Sequence, residues 1–380
     1  MRVLVLGGTG ILGGPICKLA ATQGMDVFCL SRSAHPNLQT DGIQYLVGHG
    51  LTAAELAKNE LLKTTYFDVV MDLLSFEPDK LKEKLDFFNG NCGQYIFVSS
   101  ATVYANTLPG TLITEDHPLE NAIYTYARQK IDCEHAIKST CKKTGQNYTI
   151  IRPYITYGDT RIPYGWWTGT NRLLCGKPAI TWGGGASCGV FTHADDFCVG
   201  AVGLFGNPHA KNEAFHITSE EYMPWRDILG TVCQALQVTP QTIDIPLDCF
   251  KRPDNLYTQM ILGDRIRNRI FDNTKIKKAV PGFSCKISLQ EGVKRAVEYH
   301  MSNGAVQKNK MSFFLDGWID HMIACAAQKS KTISTKKLRP VKWHNGQVLK
   351  PEKREYVQYY SERYTTLYKL NRMRLKAKGV

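Results

Sequence analysis

The sequence predicts a doubly wound α/β protein with a smaller C-terminal lobe and a basic helical tail. Three observations carry that expectation. Short, β-branched apolar runs alternate with helical stretches through the first 155 residues. Those runs lack a polar face, so their strands need cover on both sides, as in a parallel sheet flanked by helices. A glycine-rich turn, GGTGILG, joins the first run to the first helix. Repeated strand–helix alternation of this kind marks a doubly wound domain.

Taken in order, Arg2–Leu6 (RVLVL) is the first expected strand and residues 11–23 the first helix. Strands are expected at 26–30, 43–47 and 68–73, then a helix near 79–88. The run QYIFVS at 94–99 is a fifth strand, 124–143 a long helix, and 147–151 a further strand. Beyond residue 155 the pattern loosens. Short strands are expected at 179–182 and 214–218. Helices are expected at 195–204, 224–237, 273–279, 289–302 and 312–327, with a linker at 303–310.

Composition sets the outer limits. Of 380 residues, 43% are hydrophobic and 21% charged, which excludes a wholly disordered or fibrous chain. No run approaches 18 uncharged apolar residues, so no transmembrane helix is expected. The apolar stretch after Arg2 is too short for a signal-peptide core. Twelve scattered cysteines without a CxxC pair read as buried thiols in a reducing compartment, and the expected location is cytoplasmic. No metal-ligand spacing occurs, so no metal is expected. Residues 328–380 carry 15 Lys/Arg against 3 Asp/Glu, whereas residues 1–327 carry 32 against 31. A charge argument for nucleic acid therefore applies to the tail alone.

The glycine loop carries the first chemistry. Gly7 permits a tight turn, Gly10 lets the backbone approach a pyrophosphate, and Gly13 lets the helix pack close to the strand. Free N–H groups at the helix start then face the phosphates. In this strand–turn–helix context the motif predicts a dinucleotide-binding Rossmann domain at residues 1–155. The second strand ends Leu30-Ser31-Arg32-Ser33, without the carboxylate that would select NAD. The cofactor is expected to be NAD or NADP. Arg32 favours NADP by pairing with a 2′-phosphate, although stacking of Arg32 on adenine suits either.

An acid–base set follows. Ser100 lies past the fifth strand, where open α/β sheets place their ligands. Tyr126 and Lys130 are i and i+4 on the long helix and share a face. A nearby ammonium favours tyrosinate, so Tyr126 is the expected acid/base, Lys130 its cationic partner, and Ser100 the group that orients the substrate oxygen. Tyr124 is the competing phenol, but its i+4 neighbour is Arg128, which cannot give up a proton.

With these residues the chain resembles an extended short-chain dehydrogenase/reductase of the NAD-dependent epimerase/dehydratase family. The likeness covers about residues 1–326 and rests on GGTGILG, FVSSATVY, YARQK, Arg152-Pro153 leading to Tyr157-Gly158, and FTHADD. FDVVMDLLSF, GKPAITWG, EAFHITSEE and FDNTKIKKAVPGF resemble an atypical subgroup that includes plant chloroplast stem-loop binding proteins. The resemblance implies a catalytic triad of Ser100, Tyr126 and Lys130. Expected cofactor contacts are Gly7, Thr9, Gly10, Ile11, Leu12, Gly13, Ser31, Arg32, Leu73, Ser99, Lys130 and Pro153. The implied function is NAD(P)-dependent epimerisation of a sugar or nucleotide sugar through a keto intermediate. The alternatives are an NADPH-dependent ketoreductase and a nucleotide-binding scaffold. Three positions depart from the family pattern: Gly48-His49 ends the third strand, Ala101-Thr102 follows Ser100 where dehydratases carry Asp-Glu, and Ile155 replaces an Asn. The second departure disfavours 4,6-dehydratase chemistry.

A substrate lobe is expected at residues 156–327, with some segments returning to the first domain. Thr102, Tyr154, Trp166 and Trp167 are the expected substrate contacts, since aromatic faces suit sugar rings. Trp182 and Gly183–Gly185 border the same pocket or simply pack the lobe. His193, Asp195 and Asp196 are expected to cap a helix rather than bind a metal. Arg265, Arg267 and Arg269 read as a solvated charged edge. In the extension, Tyr356, Tyr360, Tyr364 and Tyr368 recur every fourth residue beside Lys and Arg. That stripe suits docking on the body or on a second subunit, allowing a homodimer, and otherwise RNA.

Overall fold

The computed structural model describes residues 1–33, 40–108, 110–164, 166–250, 255–302 and 312–329. The tyrosine stripe of the tail lies outside them, as do the side chains of Trp166 and Trp167. The chain divides into two compact units. Among the described residues, the first comprises 1–158, 190–222 and 269–289, and the second 159–189, 223–268 and 290–329. Residues 190–222 and 269–289 are the segments of the 156–327 span that group with the first unit.

The first unit is built on seven parallel strands. These are β1 (Arg2–Leu6), β2 (Asp26–Ser31), β3 (Ile43–Val47), β4 (Phe67–Asp72), β5 (Cys92–Val98), β6 (Tyr148–Pro153) and, after the short β7 (Ile155–Tyr157), β8 (Ala179–Trp182) and β9 (Cys188–His193), β10 (Glu213–Ile217). Their order is β10-β6-β5-β4-β1-β2-β3. The order reverses at β1, between β2 and β4, and this switch point is where such sheets bind ligands. Register is continuous: Val3 pairs with Val27 on one side and Val69 on the other.

Period-two alternation assigns the strand residues to two apolar layers. Val3, Val5, Val69 and Met71 pack with α1 (Gly13–Thr22) and α7 (Ala194–Gly203). Leu4, Leu6 and Val70 pack on the other face with α4 (Pro78–Phe88) and α5 (Thr125–Thr144), joined by Phe67, which at the start of β4 departs from the alternation. This explains why the strands read as unbroken apolar runs. Between β3 and β4 the chain forms two short helices, α2 (Ala53–Leu56) and α3 (Glu60–Thr64), which sequence periodicity missed because each is barely one turn. Local capping defines them: Thr52 and Glu55 form a capping box, and Asn59 accepts from Leu61 N. The helix α5 ends at Gly145, whose left-handed φ of 75° lets its N–H reach Cys141 O. His193 caps α7 by accepting from Asp195 N, so His193 rather than either aspartate supplies the cap.

The second unit contains α6 (Trp166–Leu174), β8 paired with β11 (Thr242–Ile245), α8 (Trp225–Ala235), and the helix Phe313–Lys329. Arg172 and Lys177 form ion pairs with Asp316 and Asp320 of that last helix. Trp182 is buried, with its indole N–H donating to Arg265 O, and its ring lies 5.4 Å from that of Trp225. Trp182 is therefore a packing residue. Arg265 lies over the Trp225 ring at 4.7 Å. Arg269, in the first unit, is buried and donates to the carbonyls of Tyr104 and Ala105. Arg265 and Arg269 thus do not share a solvated edge.

Gly13 shows how closely α1 is seated. A Cβ there would stand 2.4 Å from Gly7 O and 2.6 Å from Gly8 Cα, both backbone atoms that cannot rotate away. Gly13→Ala is expected to cost about 1–3 kcal/mol by overpacking, read as a lowered Tm in thermal unfolding. An unchanged Tm would show that α1 slides without strain.

Candidate active site

The glycine loop at the end of β1 has the shape sequence spacing required. Gly7 is at φ 91°, a conformation available to glycine, and its carbonyl accepts from Gly10 N at 3.0 Å. Gly8 is packed so tightly that a Cβ would meet the sulfurs of Cys29 and Cys17 at 2.6 and 2.9 Å. Gly10 is exposed at the crest of the loop. These features fit a pyrophosphate: a closely packed floor, an open crest, and a helix N-terminus without an acidic residue in its first turn. Leu12 and Gly13 are buried, Ile11 packs against the core, and Leu73 donates its N–H to Leu6 O beside the loop. Arg32 is exposed just beyond β2, and Ser31 Oγ donates to Ser33 O at 2.9 Å.

Ser100, Tyr126 and Lys130 come together in the first unit. Ser100 is buried past the end of β5, where its oxygen accepts from Thr102 N at 3.3 Å and from Thr102 Oγ1 at 3.0 Å. Thr102 thereby aims the serine hydroxyl. Tyr126 is half-buried in the first turn of α5. Burial pushes its phenol up to about 12, and a hydrogen bond with Ser100 pulls the other way. Tyr124 is buried beside it with ring centroids 5.4 Å apart, and Arg128 turns to Ala122 O and Thr125 Oγ1.

Lys130 is buried one turn further along α5. Its Nζ donates to Ser75 O and to Val98 O, both at 2.8 Å. The rings of Phe76, Phe97 and Tyr126 stand 4.2, 4.9 and 5.9 Å from the nitrogen. Burial lowers its pKa to about 8, against the pull of nearby acidic groups. Sequence reading identified Lys130 but missed its seat at Ser75 and Phe76. No spacing rule relates those positions to residue 130.

The other expected contact residues have partners within the first unit. Ser99 Oγ donates to Glu134 Oε1 at 2.7 Å. Glu134 also forms a buried ion pair with Arg152, at 2.7 Å. Arg152 in turn donates to Tyr104 OH and Glu115 O. Pro153 ends β6 opposite Ile217. Tyr154 is buried in a small apolar cluster with Phe271, ring centroids 5.3 Å apart. Among the described residues no three-residue His/Cys/Asp/Glu cluster suits a metal, and no helix is long and apolar enough to cross a membrane.

The arrangement brings a phenol, a serine and a buried ammonium together beside the glycine loop of the same sheet. The chain is 26% identical over 246 residues to the Arabidopsis thaliana chloroplast stem-loop binding protein of 41 kDa b, covering 61% of this chain and 62% of that protein. It is 24% identical over 298 residues to the 2′-dehydrokanamycin reductase of Streptomyces kanamyceticus, covering 74% and 80%. The fold matches the crystal structure of UDP-glucuronic acid 4-epimerase from Bacillus cereus, in complex with UDP-glucuronic acid and NAD, at a TM-score of 0.65 and 17% identity. That match covers 80% of this chain and all of the other. The family model for NAD dependent epimerase/dehydratase proteins matches residues 3–218, more than half of the sequence, and the chain belongs to that family.

Proposed function

We propose that this protein is an NAD(P)-dependent oxidoreductase of epimerase type that acts on a secondary alcohol of a sugar or nucleotide sugar. The observation that carries this reading is the shared face of α5, where the Tyr126 ring stands 5.9 Å from Lys130 Nζ, with the buried Ser100 hydroxyl pulling the phenol pKa down against burial. A nicotinamide dinucleotide held at the glycine loop would supply the hydride acceptor for the carbinol and, in an epimerase, the donor that reduces the ketone again on its other face. Tyr126 takes the hydroxyl proton and gives it back. Ser100, aimed by Thr102, orients the reacting oxygen. Lys130 supplies positive charge that favours tyrosinate. Water elimination is left out of this proposal because Ala101-Thr102 follow Ser100, so a second acid–base pair is missing there. Substrate selection is assigned to the second unit.

A second reading is favoured by one comparison and one feature of the sequence. The Arabidopsis relative is named for stem-loop binding, and residues 328–380 are strongly basic. In this reading the first unit binds a dinucleotide without turnover, and the tail binds RNA by phosphate contacts and tyrosine stacking.

The deciding experiment is native mass spectrometry of gently purified full-length protein, followed by identification of the acid-released ligand. Tightly held NAD or NADP supports an epimerase that recycles its cofactor. Weak NADPH binding with net oxidation of NADPH on keto sugars redirects the assignment to a ketoreductase. Absence of any dinucleotide, with RNA that is lost on deleting residues 328–380, overturns the enzyme reading.

Tyr126→Phe is expected to slow turnover by about 10²- to 10⁴-fold while dinucleotide affinity is kept, as checked by fluorescence titration. The pH dependence follows from the two pKa values. Carbonyl reduction needs a protonated phenol beside a charged ammonium. Tyr126 stays protonated to about 12, and Lys130 is charged below about 8. Reduction should therefore be level at lower pH and fall as pH passes about 8. Alcohol oxidation needs tyrosinate beside the same ammonium, so it should rise with pH and level off above about 8. Initial-rate profiles check this, and a reduction rate that climbs through pH 8 contradicts the assignment.

Arg32→Asp is expected to weaken NADP⁺ binding by about tenfold or more, with little loss for NAD⁺, because a charge-assisted hydrogen bond is worth about 1.5–3 kcal/mol. Equal losses for both cofactors would place Arg32 on the adenine.

A further inference from the structure

A second buried ion pair lies directly behind the seat of Lys130. Asp72 ends β4, Lys84 projects from α4, and both side chains are fully buried. Lys84 Nζ lies 2.7 Å from Asp72 Oδ2 and donates to Gly50 O at 3.3 Å. Asp72 accepts four further hydrogen bonds. Its Oδ1 takes Leu74 N at 2.8 Å and Ser75 N at 3.1 Å. Its Oδ2 takes Ser75 Oγ at 2.6 Å and Tyr95 OH at 2.8 Å. Three of the four come from the turn just after β4.

That turn is what Lys130 rests on. Ser75 gives its carbonyl to the Lys130 ammonium, and Phe76 gives its ring face. The same residue, Ser75, therefore donates to Asp72 through its N–H and hydroxyl and accepts from Lys130 through its carbonyl. A carboxylate in this position gathers N–H groups and closes the turn, but it is tolerable when buried only if neutralised. Lys84 supplies that charge. Burial alone would raise the Asp72 carboxyl, yet Lys84 and the surrounding donors hold it below the usual range. The other titratable groups facing this assembly are Tyr95 on β5 and Tyr126, Cys133 and Glu134 on α5.

We propose, resting on the acid–base reading of Tyr126 and Lys130, that Asp72 and Lys84 are positioning residues for Lys130, acting by clamping the turn at residues 73–76. Neither touches the phenol or the substrate oxygen. Their effect passes through the Ser75 carbonyl and the Phe76 ring to the ammonium.

The test reads the seat without needing turnover. Full-length protein is labelled briefly with acetic anhydride, and Lys130 acetylation is measured by peptide mass spectrometry relative to exposed Lys138. In Asp72→Ala/Lys84→Met no unpaired charge is left, but the turn loses its acceptor. Lys130 should label several-fold faster than in wild type. In Asp72→Asn/Lys84→Met the Asn oxygen still accepts from the turn, and labelling should return close to the wild-type rate. A general loss of stability would speed labelling in both. Wild-type labelling in the Ala/Met variant, or equally fast labelling in both variants, overturns the proposal. Should the Ala/Met protein fail to fold, Ser75→Ala removes one clamp bond and leaves the Asp72–Lys84 pair intact. A smaller acceleration there supports the clamp, and no acceleration overturns it. Failure of the acid–base reading itself would appear separately, as wild-type protein that binds no dinucleotide yet labels as described.

Discussion

Lys130 carries an ammonium into the interior of the first unit, and the surrounding fold is arranged to make that tolerable. Two carbonyls and two aromatic faces replace its hydration shell. One carbonyl comes from the end of β5 and the other from the turn after β4, so the cation ties together two neighbouring strand ends. Because Lys130 sits on the first turns of α5, the same bonds also set the rotation of that helix. That rotation brings Tyr126 to Ser100. Burial keeps the lysine pKa near neutrality, which makes its charge responsive in the range where a cell works.

Charge is layered beneath this point. Asp72 with Lys84 braces the turn after β4. Glu134 with Arg152 joins α5 to β6, and Ser99 donates into that pair from the end of β5. The C-terminal ends of β4, β5 and β6 are thus each held by a side chain from α4 or α5. Buried ion pairs add little net stability, but breaking one is costly, because the remaining charge has no solvent. Their value here is geometric: they resist rearrangement of the strand ends that carry Ser100 and seat Lys130.

Local features were legible because their meaning is contained in short spacing. The glycine loop, the Tyr126–Lys130 pair and Ser100 past an apolar strand all follow from contiguous or i, i+4 relations. Strands at Arg2–Leu6, Ile43–Val47 and Ala179–Trp182, and the helix Leu289–Ser302, have the bounds that periodicity predicts. The helices α2 and α3 were not legible, since one-turn helices have no period to detect. Glu213–Ile217 was readable as a strand, yet nothing in its sequence says that it extends the large sheet beside β6.

The sequence by itself determined the doubly wound class, the glycine-rich turn after the first strand and the helical face that Tyr126 and Lys130 share. Each depends on backbone periodicity or on steric demands that a few adjacent residues express. Only the tertiary structure decided what surrounds them. Asp72 and Lys84, Ser75 and Lys130, and Glu134 and Arg152 are separated by 12, 55 and 18 positions, and no helical or strand period links the members of any pair. Burial is the reason these pairs form: removed from water, each charge must find a partner within hydrogen-bond reach, and the packing of α4 and α5 on the sheet determines which partners are there.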